Sequence, residues 1–426
     1  MRKIEVAIVG GGIAGLALAA GLIKQCHLDV HVYEGVARHS DVGAGLALHL
    51  NAIKAMALID PEVQQAYFDK ALCMGEEDQE IATEVILAQG PHAGQRVAEL
   101  GRAKGRKSVS RADLLDGFRT LIPPSRVSFG KRLRDIVELP ASEEHRIRLT
   151  FEDGTSVSAD CLLGADGIHS VTRAFLLGRS HPATAPKNHD GWKIFRTMVS
   201  TEEARRQINP RWTTSVPILL GPRGHVNCIP LNKNTRLSAG VAIRGAVSMP
   251  HMSDLDPRMF TDYTEEAQQI IRMVAKDTSS SWAPADHDHA PFYARRKVAI
   301  FGDAAHASMP FAGNGAAQAL EDAAVLNILF AHIKGPEEIA PALRAFNQVR
   351  LPRSQAIVDL SRKFGRVYAF AEDGMHEEPT RMKRFFAMTA AITNYFDVKR
   401  QNDEAVKVFQ KFLEDDRPGQ SGMKLP

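Results

Sequence analysis

The sequence predicts an α/β chain, α+β overall, with a parallel-sheet domain, an inserted and mostly antiparallel β-sheet domain, and a C-terminal helical region. Three observations support this prediction. Apolar strand patterns at 5–9, 161–163 and 297–301 each run into a turn of small residues that precedes a helical pattern. Strand-like runs dominate residues 190–285. Helical patterns dominate after Pro336.

The first strand pattern leads into Gly10-x-Gly12-x-x-Gly15 and then into a helical pattern. In such a fingerprint Gly10 allows the tight turn, Gly12 lets a pyrophosphate approach the backbone, and Gly15 lets helix and strand pack closely. A second strand pattern ends at Glu34, at about the 20-residue distance expected of a carboxylate that binds a ribose hydroxyl. The order of these features predicts a bound dinucleotide, either FAD or NAD(P). The alternative is a glycine-rich turn that binds no ligand.

Two later junctions also combine small residues with an acid. Gly164–Gly167 contains Asp166, and Gly302–Gly315 contains Asp303. A long helix is predicted from Gly315 to about residue 333, and the small residues of its first turn would leave backbone N–H groups free for a ligand. Neither junction is a second dinucleotide fingerprint. The three together therefore suggest one dinucleotide that spans the domain, with ligands at the carboxyl ends of the strands.

The domains are predicted to be discontinuous. Alternating residues on both sides of Asp153-Gly154 predict a β-hairpin whose second strand continues into Gly164. The predicted boundaries are 1–75, 105–180 and 290–335 for the nucleotide-binding domain, 76–104 and 181–289 for the β-sheet domain, 336–415 for the helical region and 416–426 for a tail.

Several residues leave two interpretations open. Gly43–Gly45 either form a tight turn or press a loop against the cofactor. Arg111 follows Ser110, a predicted helix N-cap, and is either a phosphate or sugar ligand or a solvated charge. Arg196 lies in the middle of a strand pattern, where it either faces solvent or meets an anion. His306 and Glu321 could act in acid–base chemistry, but a structural role is the preferred interpretation.

Composition limits the classes of partner. The chain has 426 residues, 44% of them hydrophobic and 24% charged, with a net charge of +3. A nearly balanced charge predicts no nucleic-acid or membrane partner. The four cysteines form no CxxC pair, no zinc-ligand spacing occurs, and we find neither a signal peptide nor a membrane-spanning run. We therefore expect a cytoplasmic protein with no metal site, either a monomer or a homodimer.

The motifs together resemble those of the class A FAD-dependent aromatic monooxygenases, in the salicylate-hydroxylase-like group. The resemblance extends over nearly the whole chain and is greatest to fungal members that act on phenolic substrates. It rests on Gly10, Gly12 and Gly15 with Glu34, on Gly43–Gly45 with Asn51, on Arg111, on Gly164–Ser170 with Arg173, and on Gly302–His306 with Pro310, Gly313, Gly315 and Glu321–Ala323.

The resemblance implies the aromatic hydroxylase fold, with a Rossmann-like FAD-binding domain, and a reaction. NAD(P)H would bind transiently and reduce the bound FAD, and O2 would then give a flavin C4a-hydroperoxide that hydroxylates a small phenolic or aromatic-acid substrate. Decarboxylation or loss of aromaticity remains an option. The implied roles are Glu34 on the adenosine ribose, Arg111 on the pyrophosphate or ribityl chain, Asp303 on a ribityl hydroxyl, Gly45 and Ala47 along the cofactor, Gly315 and Ala316 at the flavin pyrimidine edge, Asp166 in a motif linked to FAD and NAD(P)H, and Pro310 near the flavin face where oxygen reacts.

For the substrate, the resemblance implies that Arg196 pairs with a phenolate. Some relatives have a tyrosine before the proline that matches Pro230, whereas this chain has Ile229. Isoleucine cannot make the hydrogen bond to the substrate that such a tyrosine would make. That bond would come from His225 or Asn227, or the substrate differs. Two other functions stay open from the sequence: an NAD(P)-dependent dehydrogenase, and a flavoprotein that does not hydroxylate.

Overall fold

The computed structural model of the protein describes residues 2–38, 45–140, 143, 146–248 and 254–416. The strands of these residues are β1 (Ile4–Val9), β2 (Leu28–Tyr33), β3 (Gly45–Leu46), β4 (Leu72–Cys73), β5 (Glu80–Leu87), β6 (Arg96–Lys104), β7 (Lys107–Ser110), β8 (Val127–Ser128), β9 (Leu133–Glu138), β10 (Ile147–Phe151), β11 (Ser156–Ala159), β12 (Cys161–Gly164), β13 (Lys193–Ser200), β14 (Val216–Gly221), β15 (Gly224–Leu231), β16 (Arg236–Ile243), β17 (Ser281–Trp282), β18 (Ala294–Arg295) and β19 (Val298–Ile300). The helices are α1 (Ile13–Leu22), α2 (Leu50–Ile59), α3 (Pro61–Lys70), α4 (Arg111–Thr120), α5 (Val171–Leu177), α6 (Thr201–Arg205), α7 (Glu265–Val274), α8 (Asp303–His306), α9 (Gly315–His332), α10 (Ile339–Tyr368), α11 (Pro379–Thr393) and α12 (Val398–Asp415).

The predicted parallel sheet has six strands in the order β18-β19-β12-β1-β2-β8. All neighbours are parallel except β18 and β19. Most residues of β1, β12 and β19 are buried because a parallel sheet is covered on both faces. Helix α1 packs against α9, which also contacts α2, α10 and α12.

The predicted antiparallel sheet has seven strands in the order β17-β13-β16-β15-β14-β5-β6. Only β14 and β5 pair in parallel. Strands β5 and β6 lie at one edge of this sheet. They join it through β5, which pairs with β14, far along the chain.

The hairpin at Asp153-Gly154 is confirmed, since β10 and β11 pair in antiparallel. The prediction that its second strand continues to Gly164 is wrong. The chain breaks at Asp160, which is 1% exposed, and β12 then enters the parallel sheet between β1 and β19. The Asp160 carboxylate accepts hydrogen bonds from the backbone N–H of Glu5 at 2.9 Å and from Arg2 at 2.7 Å, and these bonds anchor the crossing.

The C-terminal region is helical as predicted, and Pro352 does not end a helix. Helix α10 has 30 residues and continues through Pro352. An internal proline removes one helix hydrogen bond. The buried side chains of Arg350 and Arg353, on either side of it, both bind Glu321 of α9 and hold the helix in place. Residues 417–426, most of the predicted tail, lie outside the described residues.

Candidate active site

A cavity of about 590 Å³ lies where the two large sheets meet. Val9, Gly164 and Ile300 are paired across β1, β12 and β19, so the three strands end in one row. The turns that follow these strands therefore lie side by side, and residues from all three line the cavity. The three junctions singled out in the sequence thus come together at a single place, at the carboxyl edge of the parallel sheet.

The first junction is tightly packed except at its centre. Gly10 has a φ of +109°, and a Cβ there would lie 2.1 Å from the carbonyl oxygen of Ala165. A Cβ on Gly15 would lie 1.9 Å from the carbonyl oxygen of Gly10. Gly12, in contrast, lines the cavity, and a Cβ on it would meet nothing within 4 Å. The N-terminus of α1 is therefore open to a ligand at Gly12.

Glu34 lies beside this turn, at the end of β2. Its carboxylate accepts hydrogen bonds from the backbone N–H of Gly11 at 2.5 Å and of Val36 at 2.8 Å. These bonds hold the carboxylate next to the fingerprint, where the sequence places the ribose of a dinucleotide.

At the second junction, Ala165 and Gly167 line the cavity. The Asp166 carboxylate between them is engaged by the protein itself. It accepts hydrogen bonds from the hydroxyl of Ser170 at 2.5 Å and from the backbone N–H of Thr172 at 2.9 Å. Burial raises the pKa of Asp166, although these hydrogen bonds oppose the effect. Asp166 thus shapes the turn that leads into α5.

The third junction presents an acid and an open helix end to the cavity. Asp303 is exposed at the start of α8, and Pro310 is exposed ahead of α9. Both line the cavity together with Gly315 and Ala316. The N-cap residue Asn314 makes no side-chain capping bond to α9. The first N–H groups of α9 have no acceptor within the helix, so this end is suited to a partly negative ligand group.

The loop before α2 and the start of α4 complete this side of the cavity. Gly45, Ala47 and Arg111 all line it, and Arg111 is exposed. A Cβ on Gly45 would lie 2.7 Å from the side chain of Leu231, so the protein's own packing at this glycine is close. Gly43 and Ala44 lie outside the described residues. Arg111 follows Ser110, which caps α4 as predicted by accepting a hydrogen bond from the Asp113 N–H at 3.0 Å.

His306 and Glu321 belong to a buried network that does not line the cavity. Asp322 binds His306 at 2.5 Å and Arg350 at 2.6 Å. Arg350 also binds Glu321 at 2.7 Å, and Glu321, Asp322 and Arg350 are all 0% exposed. This arrangement supports the structural interpretation of these residues.

The opposite wall of the cavity is a face of the antiparallel sheet, and Arg196 projects from it. The guanidinium lies 5.1 Å from the ring centroid of Trp282, and no described residue supplies an anion to it. Burial lowers the pKa of Arg196, because the charge is partly removed from water. An unpaired, half-buried cation in a cavity wall is suited to an anionic ligand.

Beside this wall is an aromatic group that the sequence analysis did not identify. It surrounds His225 with Trp192, Phe311 and Tyr368, whose ring centroids lie 6.3, 5.5 and 4.9 Å from the imidazole. Burial lowers the pKa of His225 to about 3, so the ring is neutral near pH 7. The four residues come from four separate segments, and no local pattern could have indicated their proximity.

A second buried histidine leads to a prediction for stability against pH. His287 is 2% exposed, and its ring lies beside the backbone of Ile168. Burial, assisted by Arg173, lowers its pKa from 6.5 to about 4. The unfolded chain therefore takes up a proton near pH 6.5, whereas the folded chain accepts it only near pH 4. The free energy of unfolding consequently falls as pH decreases across this interval. We expect His287→Leu to reduce the slope of the unfolding free energy with pH by up to about 1.4 kcal/mol per pH unit. Denaturant unfolding across the interval measures it, and an unchanged slope would contradict the assignment.

Within the described ranges, no group of three or more His, Cys, Asp or Glu side chains could hold a metal ion. None of the helices described above combines the length and the apolar character needed to cross a bilayer.

Comparison with known proteins identifies the family. Residues 113–361 match one FAD binding domain family, and residues 5–216 match a second family of that description. The chain is 35% identical to the 6-methylsalicylate 1-monooxygenase atA of Aspergillus terreus, over 97% of this chain and 94% of that protein. It is 32% identical to the FAD-dependent monooxygenase pigN of Monascus ruber, over 86% of this chain and 87% of that protein.

A solved structure of similar fold is a salicylate hydroxylase in complex with its substrate. It has a TM-score of 0.80 and 27% identity, and the match covers 95% of this chain and 98% of that one. The relatives named above are monooxygenases, so the dehydrogenase interpretation is not favoured. The expected aromatic hydroxylase fold is confirmed. The chain belongs to the FAD-dependent monooxygenases, oxidoreductases that bind FAD and consume NAD(P)H and O2.

Proposed function

We propose that the protein hydroxylates a small phenolic or aromatic-acid substrate whose anionic group binds Arg196. The observation that carries this proposal is the half-buried guanidinium in the cavity wall, which has no anionic partner among the described residues. Relatives support the proposal, because the names of two of them include 6-methylsalicylate and salicylate.

We propose one orientation of FAD at this cavity. Gly12 and the N-terminus of α1 would receive the pyrophosphate, with Glu34 on the adenosine ribose. Arg111 and Asp303 would bind the middle of the cofactor, with Gly45 and Ala47 alongside it. The open end of α9 would meet the flavin pyrimidine edge through Gly315 and Ala316, with Pro310 at the flavin face and Asp166 shaping the adjoining turn. When bound, FAD supplies the redox chemistry with NAD(P)H and O2.

Arg196 would prepare the substrate in two ways. Its fixed charge would hold the anionic group in place, which fixes the orientation of the ring. It would also lower the pKa of a phenol, and a phenolate is a better nucleophile towards an electrophilic oxygen. The aromatic group around His225 would exclude water from the reacting centre.

Replacing Arg196 with glutamine tests the proposal. We expect Arg196→Gln to retain FAD, because no cofactor-binding residue is touched, and to lose about 100-fold or more in kcat/KM, as is typical when one member of a buried charge pair is removed. Bound flavin is measured by its visible absorbance, and turnover by substrate-stimulated NAD(P)H oxidation and product mass. The salicylates named among the relatives, with other phenolic acids, provide the substrate panel.

The matched control is Arg236→Gln, which removes an exposed arginine at the start of β16. We expect that variant to behave like the wild type. Unchanged turnover and coupling in Arg196→Gln would show that this arginine does not bind the substrate.

We also propose the domain division and the cellular setting predicted from the sequence. The nucleotide-binding domain would comprise 1–75, 105–180 and 290–335, the β-sheet domain 76–104 and 181–289, and the helical region 336–415. The two large sheets support the first two domains, because the strands of each sheet come from the ranges of one domain. The proposed setting is the cytoplasm, with the protein as a monomer or homodimer and without nucleic-acid or membrane partners, in keeping with the net charge of +3. Size-exclusion chromatography with light scattering tests the oligomeric state.

A further inference from the structure

Three strands place the cavity-facing side chains of the antiparallel sheet in register. Arg196 of β13 is paired with Gly240 of β16, and Gly240 is paired with Asn227 of β15. Directly paired residues point to the same face of a sheet. Arg196 and Asn227 therefore stand in one row on the cavity wall, with a glycine between them.

The middle strand leaves a trough between these two side chains. The residues of β16 on this face are Ser238, Gly240 and Ala242, which are all small. A Cβ on Gly240 would lie 2.8 Å from the side-chain oxygen of Asn227. The Asn227 amide thus lies over the middle strand at Gly240.

The Asn227 amide is free to bind a ligand. It forms no hydrogen bond with any residue in the described part of the chain, and neither of its polar atoms is among those sealed from solvent. Asn227 lines the cavity and is half-buried, so these atoms are reachable from the cavity. An amide offers both a donor and an acceptor, whereas the next residues on this face of β15 are Ile229 and the neutral His225.

We propose that Asn227 determines specificity by binding a second oxygen substituent of the substrate, next to the anionic group held by Arg196. This inference rests on the function proposed above. Neighbouring strands are about 4.8 Å apart, so an amide lying over β16 is on the order of 5 Å from the line of β13. A ring bound by both residues would carry one oxygen group towards the guanidinium, which lies against Trp282, and a second towards the amide. The substrate class is therefore an aromatic ring with two oxygen-bearing groups, one ionised and one able to hydrogen-bond.

Ligand titration of the oxidised FAD-containing enzyme tests this inference. The probes are salicylate, which has a carboxylate beside a hydroxyl, and benzoate, which lacks the hydroxyl; binding is followed by the change in flavin absorbance. We expect the wild type to prefer salicylate. Asn227→Leu should weaken salicylate binding by roughly 3- to 10-fold, the range for one neutral hydrogen bond, and leave benzoate binding unchanged. Asn227→Asp should weaken both, because it adds a like charge.

Gly240→Ala provides an independent variant that leaves both polar side chains intact. Its methyl group would displace the Asn227 amide, so we expect the same selective loss of salicylate binding. FAD content and melting temperature confirm that each variant is folded. A wild type without preference for salicylate, or full preference in Asn227→Leu and Gly240→Ala, would overturn the inference.

The outcome for Arg196→Gln separates this inference from the proposed function. If Arg196→Gln binds neither salicylate nor benzoate while the Asn227 variants still prefer salicylate, Arg196 binds the anionic group but Asn227 does not bind the second oxygen. Unchanged binding of both probes in Arg196→Gln would reject the anchor and with it the inference.

Discussion

Gly15→Ala is expected to abolish FAD binding and to destabilise the fold by at least about 3 kcal/mol. The added Cβ would lie 1.9 Å from the carbonyl oxygen of Gly10, and backbone cannot rotate away as a side chain can. Gly10 cannot move away either, because its backbone packs closely against the carbonyl oxygen of Ala165. Relief would therefore require α1 to move away from β1. Flavin absorbance of the purified variant and its denaturant unfolding curve measure the two effects.

Gly12→Ala is the matched control from the same turn. Gly12 has a φ of −78°, which alanine adopts readily, and a Cβ there has no protein neighbour within 4 Å. We expect normal folding with weaker FAD binding, because the methyl group would occupy the space open to the pyrophosphate. Wild-type FAD affinity in both variants would contradict the placement of the cofactor at this turn. Normal stability in Gly15→Ala would contradict the packing argument.

This contrast shows why the parallel sheet and its turns could be predicted. The glycine spacing and the strand before it are local features. Gly15 also has a local steric reason, since its neighbour is Gly10. The three junctions also carry their own small residues and acids, so their meeting at one edge follows from parallel strands. The small residues Gly315 and Ala316 at the start of α9 were likewise visible, but the missing cap was not, because Asn314 is a favoured N-cap residue whose side-chain oxygen instead accepts a hydrogen bond from Gln318.

The features that sequence reasoning missed depend on contacts between distant segments. The hairpin strand leaves its sheet at Asp160 because its partners are Glu5 and Arg2, near the start of the chain. The row of Arg196, Gly240 and Asn227 depends on register, and nothing within one strand states the register of its neighbour. Arg196 could be singled out as a charge within a strand, but its cavity-facing row could not.

Helix α10 gives the second large expected effect. Arg350→Met should destabilise the protein by about 3–5 kcal/mol, because the buried Glu321 and Asp322 lose the cation that they share and keep only Arg353 and His306 as basic partners. Arg350 donates to Asp322 at 2.6 Å and to Glu321 at 2.7 Å, and all three side chains are 0% exposed. Methionine preserves much of the side-chain volume, so lost packing contributes little. Denaturant unfolding measures the effect, and Arg344→Met, an exposed arginine of the same helix paired with Asp416, should cost less than about 1 kcal/mol.

The dependence on pH distinguishes lost charge pairing from lost packing. Burial alone would raise the pKa of Glu321 and Asp322, but the neighbouring cations hold both below their ordinary values. In the wild type these carboxylates therefore stabilise the fold at neutral pH, and the contribution is lost as pH falls through their lowered pKa values. Without Arg350, less positive charge opposes the effect of burial, and the pKa values of Glu321 and Asp322 rise. Protonation of these carboxylates then relieves part of the destabilisation. The deficit of Arg350→Met should then shrink between about pH 8 and about pH 5. A deficit that stays constant, or one equal to that of Arg344→Met, would show that Arg350 holds α10 and α9 together by packing and not by its charge.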